Sequence, residues 1–248
     1  MSRPEKSLCS LVIPSRGVIP YRLVRSKRRT LQITIKESLE VNVAAPVCLS
    51  QQKIEDFINE KSAWIFKKLS EKRSFCETWR KRGYAHGEEF LFLGKKYPIH
   101  VLEQNVVKPW LIFDNARWLI AIPSSFSDQG PQIKEQLIRW YRHQAEEVLG
   151  TRLFHLARTT GLKPQKVVIK TQKTLWGSCS SRTRSIQLNW KLILAPFEVI
   201  DYVIVHELTH LAIPNHSQRF WQKVKSILPD FKERQQWLKR HQHDLALP

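Results

Sequence analysis

The amino-acid sequence predicts an α+β fold in two parts. A β-rich N-terminal subdomain spans 21–127, an α+β domain spans 128–248, and a flexible arm precedes them at 1–20. Three observations carry this. Before residue 127 the apolar residues fall in short alternating runs divided by turn-forming residues, the pattern of half-buried strands. Beyond it, long stretches carry apolar residues at the three- and four-residue spacing of helices. The stretch 126–131 between them contains Ser, Asp, Gly and Pro, the composition of a connection.

In the first part, LQITI (31–35) alternates and VNVAA (41–45) follows a short polar turn, so the two form a hairpin that ends at Pro46. Ser50 is suited to cap a helix over about 51–72. Ile54, Phe57, Ile58, Ile65 and Leu69 share one face of it, and Lys61, Lys67, Lys68 and Lys72 lie elsewhere. Gly83 and Gly87 interrupt the chain. EFLFLGKKYPIHV (89–101) turns at Gly94, while WLIF (110–113) and WLIAI (118–122) turn at Asp114-Asn115, giving two more hairpins.

In the second part, Pro131 opens a long helix that Gly161 and Pro164 close near Thr160. KVVIK (166–170) is a strand. TLWGSCSS (174–181) and SIQLNW (185–190) form a hairpin that turns through 182–184. Gly177, between Trp176 and Ser178, marks a bulge or a close approach to the backbone. Pro196 suits the first turn of a helix reaching about Ala212, and Pro214 stops its continuation. Helices at about 217–228 and 230–243 complete the chain.

The helix before Pro214 carries the chemistry. It contains His206-Glu207-Leu208-Thr209-His210, an H-E-x-x-H sequence. Residues four apart project from the same side of a helix, so His206 and His210 can grip one ion, with Val199 and Val203 on the same stripe. Glu207 is rotated by about 100° from His206 and can reach a water beside the ion without ligating it. A catalytic Zn2+ needs a third protein ligand and an open fourth position. His216, past the turn at Pro214, can supply that ligand, and Asn215 or Ser217 can cap the next helix and fix the turn. Glu207 is then the general base. Tyr202 and Arg219 are candidates for stabilising the oxyanion. Cys179 has no neighbour in sequence that would lower its pKa and reads as a structural thiol. The strand around Gly177 can align an extended substrate through backbone hydrogen bonds.

The charge balance adds a second theme. Lys and Arg number 41 against 22 Asp and Glu, a net charge of +19 that attracts polyanions, nucleic acid foremost. Basic stretches at 22–29, 67–73, 80–82 and 223–240, with Trp64, Trp79 and Trp237 among them, offer such a surface. They support a different reading, a nucleic-acid-binding accessory protein whose zinc site is structural or vestigial. Hydrolysis of non-peptide amide bonds is a third reading served by the same activated water. Glu207 favours catalysis, since a purely structural zinc site closes its fourth position with protein. The four cysteines contain no C-x-x-C pair, and neither an apolar leader nor a transmembrane run is evident, so a cytoplasmic location without membrane contact is expected.

WGSCSS (176–181), IQLNWKLILAP (186–196), IDYVIVHELTHL (200–211) and NHSQRFW (215–221), in this order and spacing, resemble the YgjP-like metallopeptidase domain, a relative of the SprT-like zinc proteases. YRLVRSKRRTLQITI (21–35), APVCLS (45–50), KSAWI (61–65) and FLGKKYPI (92–99) are similar to the β-rich part of that family, so the resemblance covers about residues 20–240. It implies a zincin-like metal site with His206, His210 and His216 as ligands and Glu207 as base, acting on a protein or peptide substrate. The SprT-like relatives act on proteins at or near DNA.

Overall fold

The computed structural model describes residues 6–245 except 15, 37, 81–82 and 173, and leaves the side chains of 6, 72 and 74–80 undescribed. The chain divides between Lys81 and Arg82 into two units, each with its own core. Its class is α+β: six α-helices and three small sheets among the described residues.

In the first unit, β1 (Lys6–Ile13) pairs antiparallel with β2 (Gly17–Ser26). β2 runs parallel to β4 (Val41–Pro46), and β3 (Gln32–Ile35) pairs antiparallel with β4. Ile19, Tyr21 and Leu23 of β2 and Val41, Val43 and Ala45 of β4 alternate into one buried face. α1 (Gln51–Glu60) and α2 (Ser62–Arg80) add Ile54, Ile58 and Ile65 to the same core.

Two expectations are corrected here. The arm placed at 1–20 is paired strand over 6–13 and 17–20, and residues 1–5 lie outside the described residues. The alternation begins at Ile19, but Pro20 disguises it. A proline is tolerated there because β4 joins β2 only from Tyr21 onward. The helix expected over 51–72 bends at Lys61 and continues to Arg80. Lys61 joins the two segments: its amide donates to Phe57 O and its carbonyl accepts from Ile65 N. Ser50 occupies the N-cap position, but its hydroxyl makes no capping bond. The basic stretch at 80–82 and the side chains of Lys72, Cys76 and Trp79 fall outside the described residues.

The second unit opens with β5 (Glu89–Phe92), β6 (Lys95–Leu102), β7 (Trp110–Phe113) and β8 (Trp118–Ala121), in sheet order β5-β6-β8-β7. The boundary expected near 127 is therefore corrected to 81/82. This sheet shares its aromatic core with α3 (Gly130–Thr160): Trp140 of α3 stands 4.9 Å from Phe92, 5.4 Å from Phe113 and 5.7 Å from Trp118. Tyr141 donates its hydroxyl hydrogen to Leu91 O at 2.6 Å. Alternation shows that residues 89–121 are strands, but not which helix covers them.

The turn of the β5–β6 hairpin fixes the next part. Leu93 and Gly94 both have positive φ, the signature of a tight primed turn. Their amides donate to Ile193 and Leu194 in a 3₁₀ turn (Trp190–Leu194) that leads into α4 (Phe197–His210). A Cβ on Gly94 would lie 2.6 Å from Pro196 Cγ. Gly94→Ala is therefore expected to cost about 2–4 kcal/mol, from the left-handed backbone plus the overpacking, measured as a lower urea midpoint.

Beyond α3, β9 (Lys166–Lys170), β10 (Gly177–Ser180) and β11 (Ser185–Asn189) form a sheet ordered β10-β11-β9. β10–β11 is antiparallel and β11–β9 parallel. α5 (Gln218–Ile227) and α6 (Phe231–His241) end the unit. α4 packs against α3, α5, α6, β10 and β11, and Val199–Val205, Glu207, Leu208 and Thr209 are all buried. Arg152 of α3 holds Asp201 of α4 with two charge-assisted hydrogen bonds of 2.6 Å each. Among the described residues no helix is long and apolar enough to cross a membrane.

Candidate metal centre

His206 and His210 stand one turn apart at the C-terminal end of α4, and His216 returns from the turn after it. The Nε2 of His216 lies 3.0 Å from that of His206 and 3.2 Å from that of His210. Three nitrogens at ordinary zinc–nitrogen distances from one ion, in tetrahedral arrangement, stand about 3.3 Å apart. The separations fit one ion held by three imidazoles, and this is the cluster of its kind among the described residues.

Local bonds orient the rings. His210 Nδ1 lies 3.1 Å from Ile213 O, which keeps the proton on Nδ1 and leaves the Nε2 lone pair facing the other two rings. The expected stop at Pro214 makes this possible, because α4 ends at His210 and the Ile213 carbonyl remains unused by the helix. Of the two capping candidates, Asn215 acts: its Oδ1 accepts from Ser217 N at 3.3 Å and tightens the turn that carries His216. Ser217 holds the N-cap position without a side-chain bond. Beneath the rings, fully buried Phe220 contacts all three, with centroids 4.5–5.0 Å away.

Burial, then the other two imidazoles, lowers the pKa of His206 to about 4. Burial also lowers that of His210, opposed by its bond to Ile213. Both rings are therefore neutral near pH 7, the state that ligates metal. The Nδ1 of His206 is buried without a partner.

Glu207 is 6% exposed, and burial pushes its carboxyl up to about 7. The close approach expected at Gly177 is to this residue. A Cβ on Gly177 would lie 2.7 Å from Glu207 Cγ and 2.8 Å from its Oε1. Gly177 begins β10, the outermost strand of its sheet, so that strand runs beside the Glu207 carboxylate with its other edge unpaired among the described residues. Cys179 shares the face of Gly177 two residues on. Burial, then the Glu207 charge, pushes its thiol up to about 11, consistent with a structural rather than nucleophilic thiol.

Of the oxyanion candidates, Tyr202 is buried and meets His206 edge-on at 6.0 Å, with its hydroxyl hydrogen-bonded to Gln235. Arg219 is exposed in the first turn of α5. Two neighbours of the site were not anticipated. Trp221 stacks on His216, with planes 25° apart and centroids at 5.7 Å, and Gln235 comes from α6. The amphipathic spacing of α5 marks Trp221 as a core residue; its half-burial beside His216 follows from the turn at 211–217.

No curated protein matches the chain. Among solved structures it is similar to the metallopeptidase zymogen abylysin of Pyrococcus abyssi, with 25% identity over 38% of this chain and 96% of that one, at a TM-score of 0.35. It is also similar to the metallopeptidase zymogen jannalysin of Methanocaldococcus jannaschii, with 20% identity, the same coverages and the same TM-score. The YgjP-like metallopeptidase domain matches residues 29–241, from just before β3 to the end of α6, and takes in all three clustered histidines and Glu207. With that span matched, the chain belongs to the YgjP-like metallopeptidase family.

Proposed function

We propose that the chain is a zinc-dependent peptidase in which His206, His210 and His216 hold the metal and Glu207 is the general base. The observation that carries this is the convergence of three imidazoles, with His216 Nε2 within 3.2 Å of the Nε2 of both His206 and His210, one residue from a buried carboxylate. All-nitrogen donors in this number suit zinc, with a fourth position left open. When bound, the metal supplies a lowered water pKa and a polarised carbonyl.

The chain's own residues supply the rest. Glu207 accepts a proton from the attacking water on its carboxylate and returns it to the departing amine nitrogen. Burial favours that exchange by placing the carboxyl near pH 7. β10 offers an open edge on which an extended peptide can add as a strand, beside Glu207. The +19 charge supports a polyanionic neighbour such as nucleic acid, and a cytoplasmic setting remains the expectation for the thiols.

Metal analysis tests the reading. The purified protein is expected to carry one zinc per chain, and His206→Ala/His210→Ala to carry none while remaining folded. Removal of zinc by a chelator abolishes peptide cleavage and added zinc restores it. Zinc content unchanged in the double variant would overturn the ligand assignment.

A further inference from the structure

We infer that the groove between Trp221 and α6 is a recognition subsite for a carboxylate-bearing side chain of the peptide substrate. The enzyme would then favour acidic sequence next to the bond it cleaves. This rests on the peptidase reading above and adds a substrate class to it.

The groove has a volume of about 720 Å³ and is lined by Trp221, Phe231, Lys232, Gln235, Gln236 and Lys239. It adjoins the candidate metal centre through one lining residue, since Trp221 stacks on His216. Trp221 also stacks on Phe231, with planes 18° apart and centroids at 5.5 Å, which continues an aromatic floor away from the imidazoles. A second connection runs through Gln235, which bonds Tyr202 beside His206.

The wall is one stripe of α6. Positions 232, 235, 236 and 239 follow the spacing that brings residues to a single helix face. That face ends in two amines and contains no acid. Neither Lys232 nor Lys239 is paired with a carboxylate among the described residues. The acidic residues nearby are turned to other work: Asp230 pairs with Arg234, and Glu233 lies off the stripe. An apolar floor beneath two amines complements a short aliphatic stem that ends in a carboxylate.

A stacked nucleobase fits less well. Phe231 is only 6% exposed and already faces Trp221, so it has no open face of the kind on which bases stack.

The test uses full-length, zinc-loaded Glu207→Gln protein, which binds without cleaving. Fluorescence anisotropy compares a labelled peptide with Glu residues flanking its centre, the same peptide with Gln, and a labelled single-stranded oligonucleotide. The Glu peptide is expected to bind roughly tenfold more tightly than the Gln peptide at low salt. Lys232→Gln/Lys239→Gln should remove that advantage while zinc content and fold persist. Equal binding of the two peptides overturns the inference, as does an advantage that survives the double substitution. Lysine-dependent binding of the oligonucleotide alone overturns it too. Cleavage of both peptides by the wild-type protein separates the two claims. Equal cleavage with equal binding removes the subsite and leaves the peptidase. A lysine-dependent binding preference without any cleavage supports the subsite and removes the peptidase reading.

Discussion

Glu207→Gln is expected to lower kcat by about 10²–10⁴-fold and to leave the zinc content at one per chain. Gln matches Glu in shape, so the buried helix face and the adjoining Gly177 backbone are undisturbed. Its amide cannot take a proton from water at neutral pH. Glu207 is not one of the three converging donors, and metal analysis should therefore be indifferent to the change. Metal content and single-turnover cleavage measured on the same preparation decide the point. A variant with full activity would remove Glu207 as the base, and a variant without zinc would make it a ligand.

Gly177→Ala is expected to reduce kcat by about 10²-fold without loss of metal or fold. The new Cβ would meet Glu207 at Cγ, near the middle of its side chain, where no flexible end can swing aside. The backbone at Gly177 is not left-handed, so alanine is tolerated by the strand itself and the strain falls on the carboxylate. The decisive comparison is the double variant. Adding Gly177→Ala to Glu207→Gln should cost far less than adding it to the wild type, because a displaced base has no further rate to lose. An equal loss in both backgrounds would mean that Gly177 acts on substrate binding along β10 instead.

The convergence of the three histidines was legible because its information is local. An i,i+4 histidine pair, a helix-stopping Pro214 and a capping Asn215 lie within one stretch, and helix geometry converts that spacing into convergence. The α+β class was legible from periodicity. The partner of Gly177 was not, since a glycine announces a close approach without naming what approaches. The same limit moved the unit boundary from 127 to 81/82. The strands between 89 and 121 alternate as expected, yet their aromatic partners Trp140 and Tyr141 sit on a helix beyond the Ser/Gly/Pro stretch that resembled a linker. Pro20 hid a strand for a reason that depends on which neighbour lies on each side of it. Trp221 and Gln235 reach the site only through the packing of α5 and α6 against α4.

The three histidines are not held with equal firmness. His206 and His210 belong to a helix packed against five other elements and clamped through Asp201. His216 is exposed, on a turn tightened by the Asn215 side chain, and is held otherwise by ring contacts with Phe220 and Trp221. An ion held by all three rings is expected to leave through opening of that turn rather than through unfolding of the whole unit. Asn215→Ala is therefore expected to speed metal exchange while leaving the urea midpoint nearly unchanged.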